Sequence, residues 1–516
     1  MLQFIGTIIE SVQVARFQWR IHFLNLLVGL VGSSRTFLDV LFSKQPDWWC
    51  EDGFVDCQNQ RDISKYFIPC RNGSILDGVQ LENKSENYFL VFFKLLCKDD
   101  HFGLNLPMAS SSFFIGALIG GCLLGIISDT RGRRFAVLAS LIAAFLSSLL
   151  IVFTPIIEIY ILGRFLDGIC FGGYWINTFV ISIEYSRPDR RSWCILSYFV
   201  LWGPAMVLML YLGELLSQHT WHFQALFSSA LILFLLIMTA CLGIESAAWT
   251  FGNSAKHDKK KSSDLVKSIA KIIKMEVTNV PNERFHRSQS TQSFQDVLRG
   301  SRYRKYRQSI LSLLYIWFIT AVAYYLSYYE AFFKQSPKEL GVPVSSLVLL
   351  SAGSNLTGFL LSTLLARCLP RRTSLIITTL AAAASSFGLI APNKYSDFVL
   401  LLVGKIVTSG LFSLVYLVTV EIVPTPSRGF VVGICFGMSR LAATLAPHIN
   451  YIADILDALP QVFVGTALLV CSIASWTLPE TGETELLQDY YQTKDLQRHL
   501  EKYKTRHLSK SLESSI

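Results

Sequence analysis

One arginine lies in the middle of a long apolar stretch. Arg440 falls near the centre of residues 429–452 and has no acidic residue within four positions on either side. Charged groups inside apolar membrane segments are costly, and they are retained where they pair or function. A guanidinium that faces a cavity is a good bidentate partner for a carboxylate or sulfonate. The sequence therefore makes Arg440 the first candidate for binding an anionic group, with pairing to an acidic residue of another helix as the alternative.

Aromatic residues make up 13% of the chain, and several fall in apolar stretches where they could line a cavity. Tyrosine and tryptophan rings bury aromatic ligands and bind cations over their faces. Packing inside the protein or against lipid is the alternative for each ring. The candidates that we single out are Tyr324, Tyr325, Trp175 and Trp202.

Other charged residues inside apolar stretches are explained by pairing on the same helix face or by a position near the membrane surface. Arg35 and Asp39 are spaced i,i+4, whereas Arg164 and Asp167 are spaced i,i+3, so each pair can form on one helix face. Lys405 is expected within a turn or two of the outer surface. None of these residues is therefore assigned to a binding site.

The composition indicates which elements position these residues. Of 516 residues, 52% are hydrophobic and 16% are charged, against about a quarter charged in soluble proteins. Apolar runs of about 20 residues, the length that spans a bilayer as a helix, recur along the chain. This pattern excludes a soluble enzyme and a β-barrel, and the prediction is an all-α membrane protein. Its twelve transmembrane helices are predicted near residues 20–42, 109–128, 135–154, 157–182, 193–216, 222–243, 308–332, 345–367, 374–391, 398–420, 429–452 and 460–478.

The distribution of charge predicts the orientation in the membrane. Residues 254–307 hold fourteen Lys and Arg against five Asp and Glu, whereas residues 43–107 hold seven against ten. Because cytoplasmic loops are rich in Lys and Arg, the middle loop 254–307 is predicted to be cytoplasmic and the loop 43–107 extracellular. With twelve spans, both the N-terminus 1–19 and the tail 479–516 are then cytoplasmic. The net charge of +9 follows the same rule and does not indicate nucleic-acid binding.

The extracellular loop carries features of an oxidising compartment. It holds four of the eleven cysteines, which predict two disulfides with three possible connectivities. It also holds two sequons for glycosylation, at Asn72 and Asn83. The four cysteines are Cys50, Cys57, Cys70 and Cys97.

The two halves of the chain carry similar charged motifs at corresponding positions. An offset of 237 residues carries the segment 184–191 onto 421–428, and each begins with Glu and ends with Arg. An offset of 238 carries the basic link 129–134 onto 367–372. The chain therefore divides into six-helix halves at 20–253 and 308–478. Two parallel repeats are typical of transporters that alternate access to a site between the repeats.

These segments carry a family resemblance over nearly the whole chain. Residues 125–134, with the sequence Gly-Ile-Ile-Ser-Asp-Thr-Arg-Gly-Arg-Arg, resemble the loop motif of the major facilitator superfamily. More narrowly, the chain resembles the organic cation, organic anion and carnitine transporters of that superfamily. The matching features are the Cys-containing, sequon-bearing loop after the first span, the Gly-Arg-Phe-Leu-x-Gly opening at 163–168, Arg440 before Ala446-Pro447, and Leu-Pro-Glu-Thr at 478–481.

The resemblance also has implications for individual positions. At the position of Arg440 the resembled cation transporters are largely acidic, whereas the anion transporters have Arg, so an anionic or zwitterionic substrate is expected. The Tyr324-Tyr325 pair resembles a tyrosine pair of the family. The chain departs from the family at Ala247-Ala248, where Pro-Arg is usual, and at Pro370, where Gly is usual.

Charged residues at the predicted cytoplasmic helix ends form a candidate gate. Opposite charges there can pair when the inward side is closed, and a network of them shifts a two-state balance by about 1–3 kcal/mol. The alternative is that they only set topology by positive charge. The first-half candidates are Asp129, Arg133, Arg134, Glu184, Arg191 and Glu245, and the second-half candidates are Arg371, Arg372, Glu421, Arg428 and Glu480.

The sequence thus predicts transport of small organic ions, preferably anions or zwitterions, by a multi-pass protein of the plasma membrane. Uniport or exchange is expected, because no Walker-type nucleotide loop is present in the sequence. No enzyme activity, cofactor, metal or nucleic-acid partner is expected; the partners are the substrate ion and the bilayer. The alternatives are an organic cation transporter, a sugar-type carrier, and a non-transporting receptor or scaffold on a transporter fold.

Overall fold

A computed structural model of the protein describes most of the helical bundle. The described residues are 15–38, 48–50, 70–71, 74–75, 79–81, 106–188, 190–215, 221–246, 248–250, 304–329, 344–390, 394–455 and 460–482. Most of the predicted middle loop and both chain ends lie outside them, so the domain boundaries stay predictions.

The helices of the two halves alternate with short links. Long helices are expected, because a bilayer offers the backbone no other hydrogen-bond partners. The first half contains α1 (Ala15–Thr36), α2 (Leu106–Arg131), α3 (Arg133–Phe153), α4 (Ile157–Glu184), α5 (Arg191–Phe199), α6 (Trp202–Leu215) and α7 (Trp221–Leu242). The second half contains α8 (Arg304–Tyr329), α9 (Val344–Cys368), α10 (Arg371–Gly388), α11 (Lys394–Ile422), a 3₁₀ turn (Thr425–Ser427), α12 (Arg428–Ile455) and α13 (Pro460–Trp476).

These helices correspond to the twelve predicted spans, with one span divided in two. Where residues 193–216 were expected to form one helix, α5 ends at Phe199 and α6 begins at Trp202. Pro204 explains the break, because proline lacks an N–H for the preceding turn but is tolerated in the first turn of a new helix. In the described residues, nine helical segments are long and apolar enough to cross a membrane, counting α5 with α6 as one.

Four short strands lie in the predicted extracellular loop. Their bounds are β1 (Trp48–Cys50), β2 (Cys70–Arg71), β3 (Ser74–Ile75) and β4 (Val79–Leu81), and the antiparallel pairs are β1 with β4 and β2 with β3. Cys50 and Cys70 therefore lie in described strands. The other candidates of this loop, Cys57, Cys97, Asn72 and Asn83, lie outside the described residues. The disulfides and the glycosylation sites stay predictions.

The halves contact each other along two seams. In one seam α2 packs against α12, and in the other α9 packs against α5 and α6. Glycine makes the first crossing close: a Cβ on Gly433 would lie 2.0 Å from the carbonyl oxygen of Gly121. Small residues at helix crossings are typical of membrane bundles, because they let backbones approach.

The links at one end of the bundle turn within one or two residues. Between α2 and α3, Gly132 has a φ of 118°, a backbone conformation that only glycine adopts without strain. Between α9 and α10, Pro370 has a φ of −54° and a ψ of 143°, an extended conformation that does not require glycine. The departure from the usual glycine at this link therefore has a structural explanation. We call this end, which the sequence analysis assigns to the cytoplasm, the basic end.

Candidate functional site

A cavity lies between the two halves and is lined by ten aromatic side chains and Arg440. The four aromatic residues predicted from the sequence are all among them. The lining residues of the first half are Phe171, Trp175, Phe199 and Trp202, and those of the second half are Tyr324, Tyr325, Phe359, Phe412, Tyr416, Phe436 and Arg440. The open space is about 20 Å³, enough for a water molecule or two. The rings must therefore separate before an organic ion can enter.

Arg440 lies on α12 at the wall of this cavity, where its side chain is 3% exposed. Its Nη1 donates a hydrogen bond to the hydroxyl of Tyr325 at 3.0 Å, and its Nε donates to Ser439 Oγ at 3.1 Å. The guanidinium also lies 4.7 Å from the ring centre of Phe436. Among the described residues, no carboxylate oxygen comes within 4.0 Å of it. The alternative from the sequence, a salt bridge to another helix, is absent from this part of the chain.

A tryptophan of the first half is hydrogen-bonded to a tyrosine of the second half at the cavity wall. Trp175 on α4 donates from Nε1 to the hydroxyl of Tyr416 on α11 at 3.1 Å. Its ring lies 5.3 Å from that of Trp202, at 68°. This hydrogen bond joins the two halves through the cavity wall itself, so separation of the halves must break it.

Lys405 lies in the second turn of the apolar segment Val399–Ile422, which is compatible with the position predicted for it, but its side chain is buried. It is 4% exposed and lies on α11 with Nζ 3.6 Å from the ring centre of Tyr324. The hydroxyl of Tyr324 donates to Asn355 Oδ1 at 3.3 Å. Lys405 therefore places a second basic group behind one wall of the cavity. The sequence did not show this contact, because Tyr324 belongs to another helix.

Arg35 has an acidic partner on another helix, which the sequence did not predict. Arg35 on α1 donates from Nε and Nη2 to Asp167 Oδ2 at 2.9 and 2.7 Å. Arg164 Nη1 donates to the same oxygen at 3.1 Å, as the i,i+3 spacing predicted. All three side chains are buried. This partner is available because α1 packs against α4, so Arg35 joins the two helices. Asp39 lies outside the described residues, and its pairing with Arg35 stays a prediction.

Buried ion pairs close the basic end of the bundle. Arg428 Nη1 donates to Glu184 Oε1 at 2.6 Å and joins α12 to α4. Arg191 Nη1 donates to Glu421 Oε1 at 3.2 Å and joins α5 to α11. In the sequence analysis these residues were grouped within each half. In the structure, each glutamate binds an arginine of the other half. The two pairs are related by the 237-residue offset.

Two further arginines support the same glutamates from within each half. Arg133 Nη2 lies 3.6 Å from Glu184 Oε1, and Arg371 Nε lies 3.6 Å from Glu421 Oε2. Arg133 also contacts the carboxylate of Asp129 one turn earlier. It donates in addition to the carbonyl of Thr425 at 2.9 Å, which lies in the other half. These arginines therefore belong to the closure of the basic end.

Asp129 caps a helix of the opposite half. Its Oδ1 accepts a hydrogen bond from the backbone N–H of Gly429 at 3.0 Å, and its Oδ2 accepts one from Phe430 at 2.8 Å. These N–H groups lie in the first turn of α12, where the helix dipole favours a negative group. A motif residue of the first half thus stabilises the start of a helix in the second half.

Among the described residues, Glu245 and Glu480 bind backbone N–H groups and not the basic side chains that the sequence suggested. Glu245 Oε1 accepts a hydrogen bond from the backbone N–H of Arg133 at 2.8 Å, and Oε2 accepts one from Arg134 at 3.1 Å. Glu480 holds the first two N–H groups of α10 in the same way, at 2.7 and 3.1 Å. Burial raises the pKa of the Glu245 carboxyl, and these backbone donors offset part of that effect. Both glutamates act as caps for helices that begin at the basic end.

Two predicted gate arginines lie outside the closure. Arg134 Nη2 donates to the carbonyl of Ala240 at 2.9 Å, within the first half. Arg372 lies over the ring of Trp476 at 5.8 Å, within the second half. In the described residues neither forms an ion pair. For these two, the interpretation as topology-setting positive charge fits the geometry better.

In the described part of the chain, no group of three or more His, Cys, Asp and Glu is placed to hold a metal ion. Seven cysteines in or beside the described helices are free thiols.

Two repeated six-helix halves, a cavity between them and a charged closure at one end define an alternating-access membrane transporter. The sequence model of the Major Facilitator Superfamily matches residues 86–447. The chain belongs to the Major Facilitator Superfamily.

Curated relatives agree with the narrower resemblance seen in the sequence. "Solute carrier family 22 member 16" of Bos taurus is 24% identical over 83% of this chain and 73% of its own length. "Organic cation transporter 1" of Caenorhabditis elegans is 25% identical over 80% of this chain and 69% of its own length. The sequence-based resemblance to organic ion transporters is thereby confirmed.

A solved structure supports the fold independently. The proton:xylose symporter XylE bound to 6-bromo-6-deoxy-D-glucose superposes with a TM-score of 0.64 and 15% identity, covering 92% of this chain and 98% of that one. The predicted fold class, twelve transmembrane helices in two halves, is confirmed.

Proposed function

We propose that this protein carries small organic anions or zwitterions across the plasma membrane, with Arg440 binding the anionic group. The observation that carries this proposal is a buried guanidinium at the junction of the halves with no carboxylate of the described residues beside it. A buried charge without a counter-charge is unfavourable, and a passing anion relieves that penalty. The hydroxyl of Tyr325 orients the guanidinium without neutralising it.

The rest of the cavity supports an ion with an apolar body. Ten aromatic rings surround Arg440, and such rings bury apolar and aromatic groups. Lys405, behind Tyr324, adds positive potential that a low-dielectric interior screens weakly. A carboxylate or sulfonate on a drug-sized aromatic or aliphatic body fits this combination of charge and surface.

Alternating access follows from the arrangement of the two halves. Here the basic end is closed by ion pairs between the halves, and the Trp175–Tyr416 hydrogen bond also joins the two halves. Opening toward the cytoplasm requires both to break while Arg440 keeps its place on α12. Uniport or exchange is the proposed mode.

Uptake into proteoliposomes tests the proposal directly. Purified protein would be assayed with a labelled aromatic carboxylate, an aromatic sulfonate, a betaine-type zwitterion and a tetraalkylammonium cation. We expect saturable uptake of the carboxylate, the sulfonate or the zwitterion, and a loss of about tenfold or more in transport efficiency for Arg440→Ala. Arg440→Lys should retain part of the activity, because it keeps the charge but not the bidentate fork.

The control is Arg131→Ala, which removes an exposed arginine that stacks on Phe135 at 6.0 Å, away from the cavity. It should transport like the unmodified protein at equal abundance in the membrane. Anion uptake that survives Arg440→Ala unchanged would refute the role of Arg440. Absence of uptake for every probe, with folded protein, would favour the non-transporting alternative.

An organic cation is the second candidate, because ten aromatic faces are also suited to cations. The Caenorhabditis elegans relative carries the name of an organic cation transporter. Arg440 would repel such a substrate, so Arg440→Asp should then increase uptake of the tetraalkylammonium probe. Under the main proposal Arg440→Asp abolishes anion uptake instead.

A further inference from the structure

A second, basic cleft lies at the basic end, beside the ion pairs that close it. Its volume is about 410 Å³, and its lining includes His22, Ser186, Arg190, Trp193 and Arg367. The first four belong to the first half, whereas Arg367 lies in the last turn of α9 in the second half. No carboxylate of the described residues lines it. The described lining therefore contains arginines from both halves.

Comparison of the two halves shows that this cleft has a basic residue at the position that corresponds to Asp129. In one seam the carboxylate of Asp129 accepts hydrogen bonds from the first N–H groups of α12. The 238-residue offset places Arg367 at the position of Asp129, facing α5 instead of α12. The Arg367 guanidinium lies 5.1 Å from the ring of Trp193, in the first turn of α5. One seam thus carries a negative group at a helix start, and the other carries a positive one.

We propose that this cleft binds a phosphate-bearing anion, in particular the phosphomonoester headgroup of an anionic lipid of the inner leaflet. The anion supplies the negative charge that Asp129 provides at the equivalent place in the other seam. Arginine side chains from the two halves contribute charge-assisted hydrogen bonds to its oxygens, and the start of α5 favours it through the helix dipole. This inference goes beyond the proposed transport function and does not depend on it.

The position of the cleft favours a lipid over a soluble ligand. Trp193 is 42% exposed, and Trp19 on α1, one turn before His22, is 62% exposed and stacks on Phe23 at 5.1 Å. Exposed tryptophans of this kind concentrate at the level of lipid headgroups. Basic pockets between membrane helices on the cytoplasmic side are suited to phosphorylated lipid headgroups, and the inner leaflet supplies them.

An anion bound in this cleft is expected to shift the conformational equilibrium of the protein. Because Arg190 and Arg367 lie on opposite halves, a ligand that contacts both stabilises the arrangement in which the basic end is closed. A ligand shifts a conformational equilibrium by its difference in affinity for the two states. The bound anion is therefore expected to slow opening toward the cytoplasm and to raise thermal stability.

Binding can be measured on the full-length protein in detergent, without any transport assay. The probes are short-chain phosphatidylinositol 4,5-bisphosphate, short-chain phosphatidylcholine and soluble inositol trisphosphate, and the readouts are the thermal melting temperature and tryptophan fluorescence. We expect the phosphoinositide to raise the melting temperature by mass action, whereas phosphatidylcholine does not. Equal binding of inositol trisphosphate identifies the phosphates alone as the ligand, and its failure to bind identifies the membrane lipid.

Variants decide whether the cleft is the site. Arg367→Ala should weaken phosphoinositide binding about tenfold, and Arg367→Lys should retain most of it. Arg367→Asp should give the unliganded protein the higher melting temperature by itself and abolish the response to lipid. The exposed Arg131 serves as the matched control, and Arg131→Ala should bind normally. Equal shifts with phosphatidylcholine, or full binding by Arg367→Ala, would overturn the proposal.

Discussion

The environment of a buried guanidinium determines what it can bind. Arg440 has a neutral hydroxyl, a neighbouring serine and aromatic faces around it, so its charge is oriented but not cancelled within the described residues. Glu184 and Arg428 illustrate the opposite case, in which two buried charges satisfy each other at 2.6 Å. The first arrangement suits binding of a passing ion, and the second suits closure.

Removal of the Tyr325 hydroxyl tests whether the orientation of Arg440 matters. Tyr325→Phe keeps the ring but removes the acceptor 3.0 Å from Nη1. We expect the apparent affinity for the best anion to fall about tenfold or more, because hydrogen bonds to charged groups contribute about 1.5–3 kcal/mol. Concentration-dependent uptake measures this effect. Tyr315→Phe on the same helix is the control, because its hydroxyl donates to the carbonyl of Ala467. An unchanged affinity in Tyr325→Phe would contradict the orienting role.

Lys405 tests the contribution of charge from behind the cavity wall. Lys405→Met preserves the length and apolar stem of the side chain and removes the positive charge next to Tyr324. We expect weaker anion uptake by about two- to tenfold, and a smaller loss for a neutral or cationic probe, because a loss of positive potential affects anions most. Competition between labelled anion and unlabelled probes measures the ratio. Lys405→Arg should preserve the anion preference, and equal losses for all probes would indicate a packing defect instead.

The role or contact of a single residue was predictable from the sequence only where its neighbours in the chain determined it. Arg440 was identifiable because nothing near it in the chain can pair with it, and the spacing of Arg164 and Asp167 was enough to predict their contact. The contacts of Lys405 with Tyr324 and of Arg35 with Asp167 were not predicted, because these partners belong to other helices. Burial of a lysine against a ring 81 residues away is a property of packing that periodicity does not contain.

At the scale of elements, the closest helix crossings test how the seams are built. A Cβ on Gly433 of α12 would lie 2.0 Å from the carbonyl oxygen of Gly121 on α2. Gly433→Ala must therefore push the two helices apart, and we expect a lower melting temperature and a lower maximal uptake rate. Gly353→Ala is the control, because a Cβ there meets nothing within 4 Å and alanine favours a helix by up to about 1 kcal/mol. Equal melting temperatures for the two variants would contradict the proposed close crossing.

Element positions were largely predictable because a membrane helix has a length set by the bilayer. The predicted spans and the observed helices differ at their ends by a few residues, as at 157–182 and Ile157–Glu184. The division at residues 200–201 was missed, although Pro204 marked it. The caps by Glu245 and Glu480 were also missed, because a carboxylate that follows one helix and caps another is recognisable only once both helices are placed.

At the scale of the molecule, the closure depends on an exchange between the repeats. The sequence located both copies of the Glu and Arg motif but assigned each pair to its own half. In the structure Glu184 binds Arg428 and Glu421 binds Arg191, so every one of these bonds crosses a seam. An ion pair within one half would stay intact when the two halves separate, so it would not favour the closed state. Pairs between halves break when the basic end opens, and their free energy enters the conformational equilibrium directly.

The buried thiol of Cys435 offers a measure of that equilibrium. Cys435 lies on α12, which packs against α2 across the seam, and it is 0% exposed when the basic end is closed. We expect Arg428→Ala to raise the rate of labelling of Cys435 by a membrane-permeant maleimide about tenfold or more, because the closed state loses a buried pair worth at least about 1.4 kcal/mol. Arg191→Ala should act in the same direction, and the combined variant should depart from additivity, because the charges of Arg191 and Arg428 interact. Cys471 is the internal control: it is equally buried on α13, whose main partner α10 belongs to the same half. Faster labelling of Cys471 as well would indicate general unfolding, and unchanged labelling of Cys435 would show that these ion pairs do not hold the basic end closed.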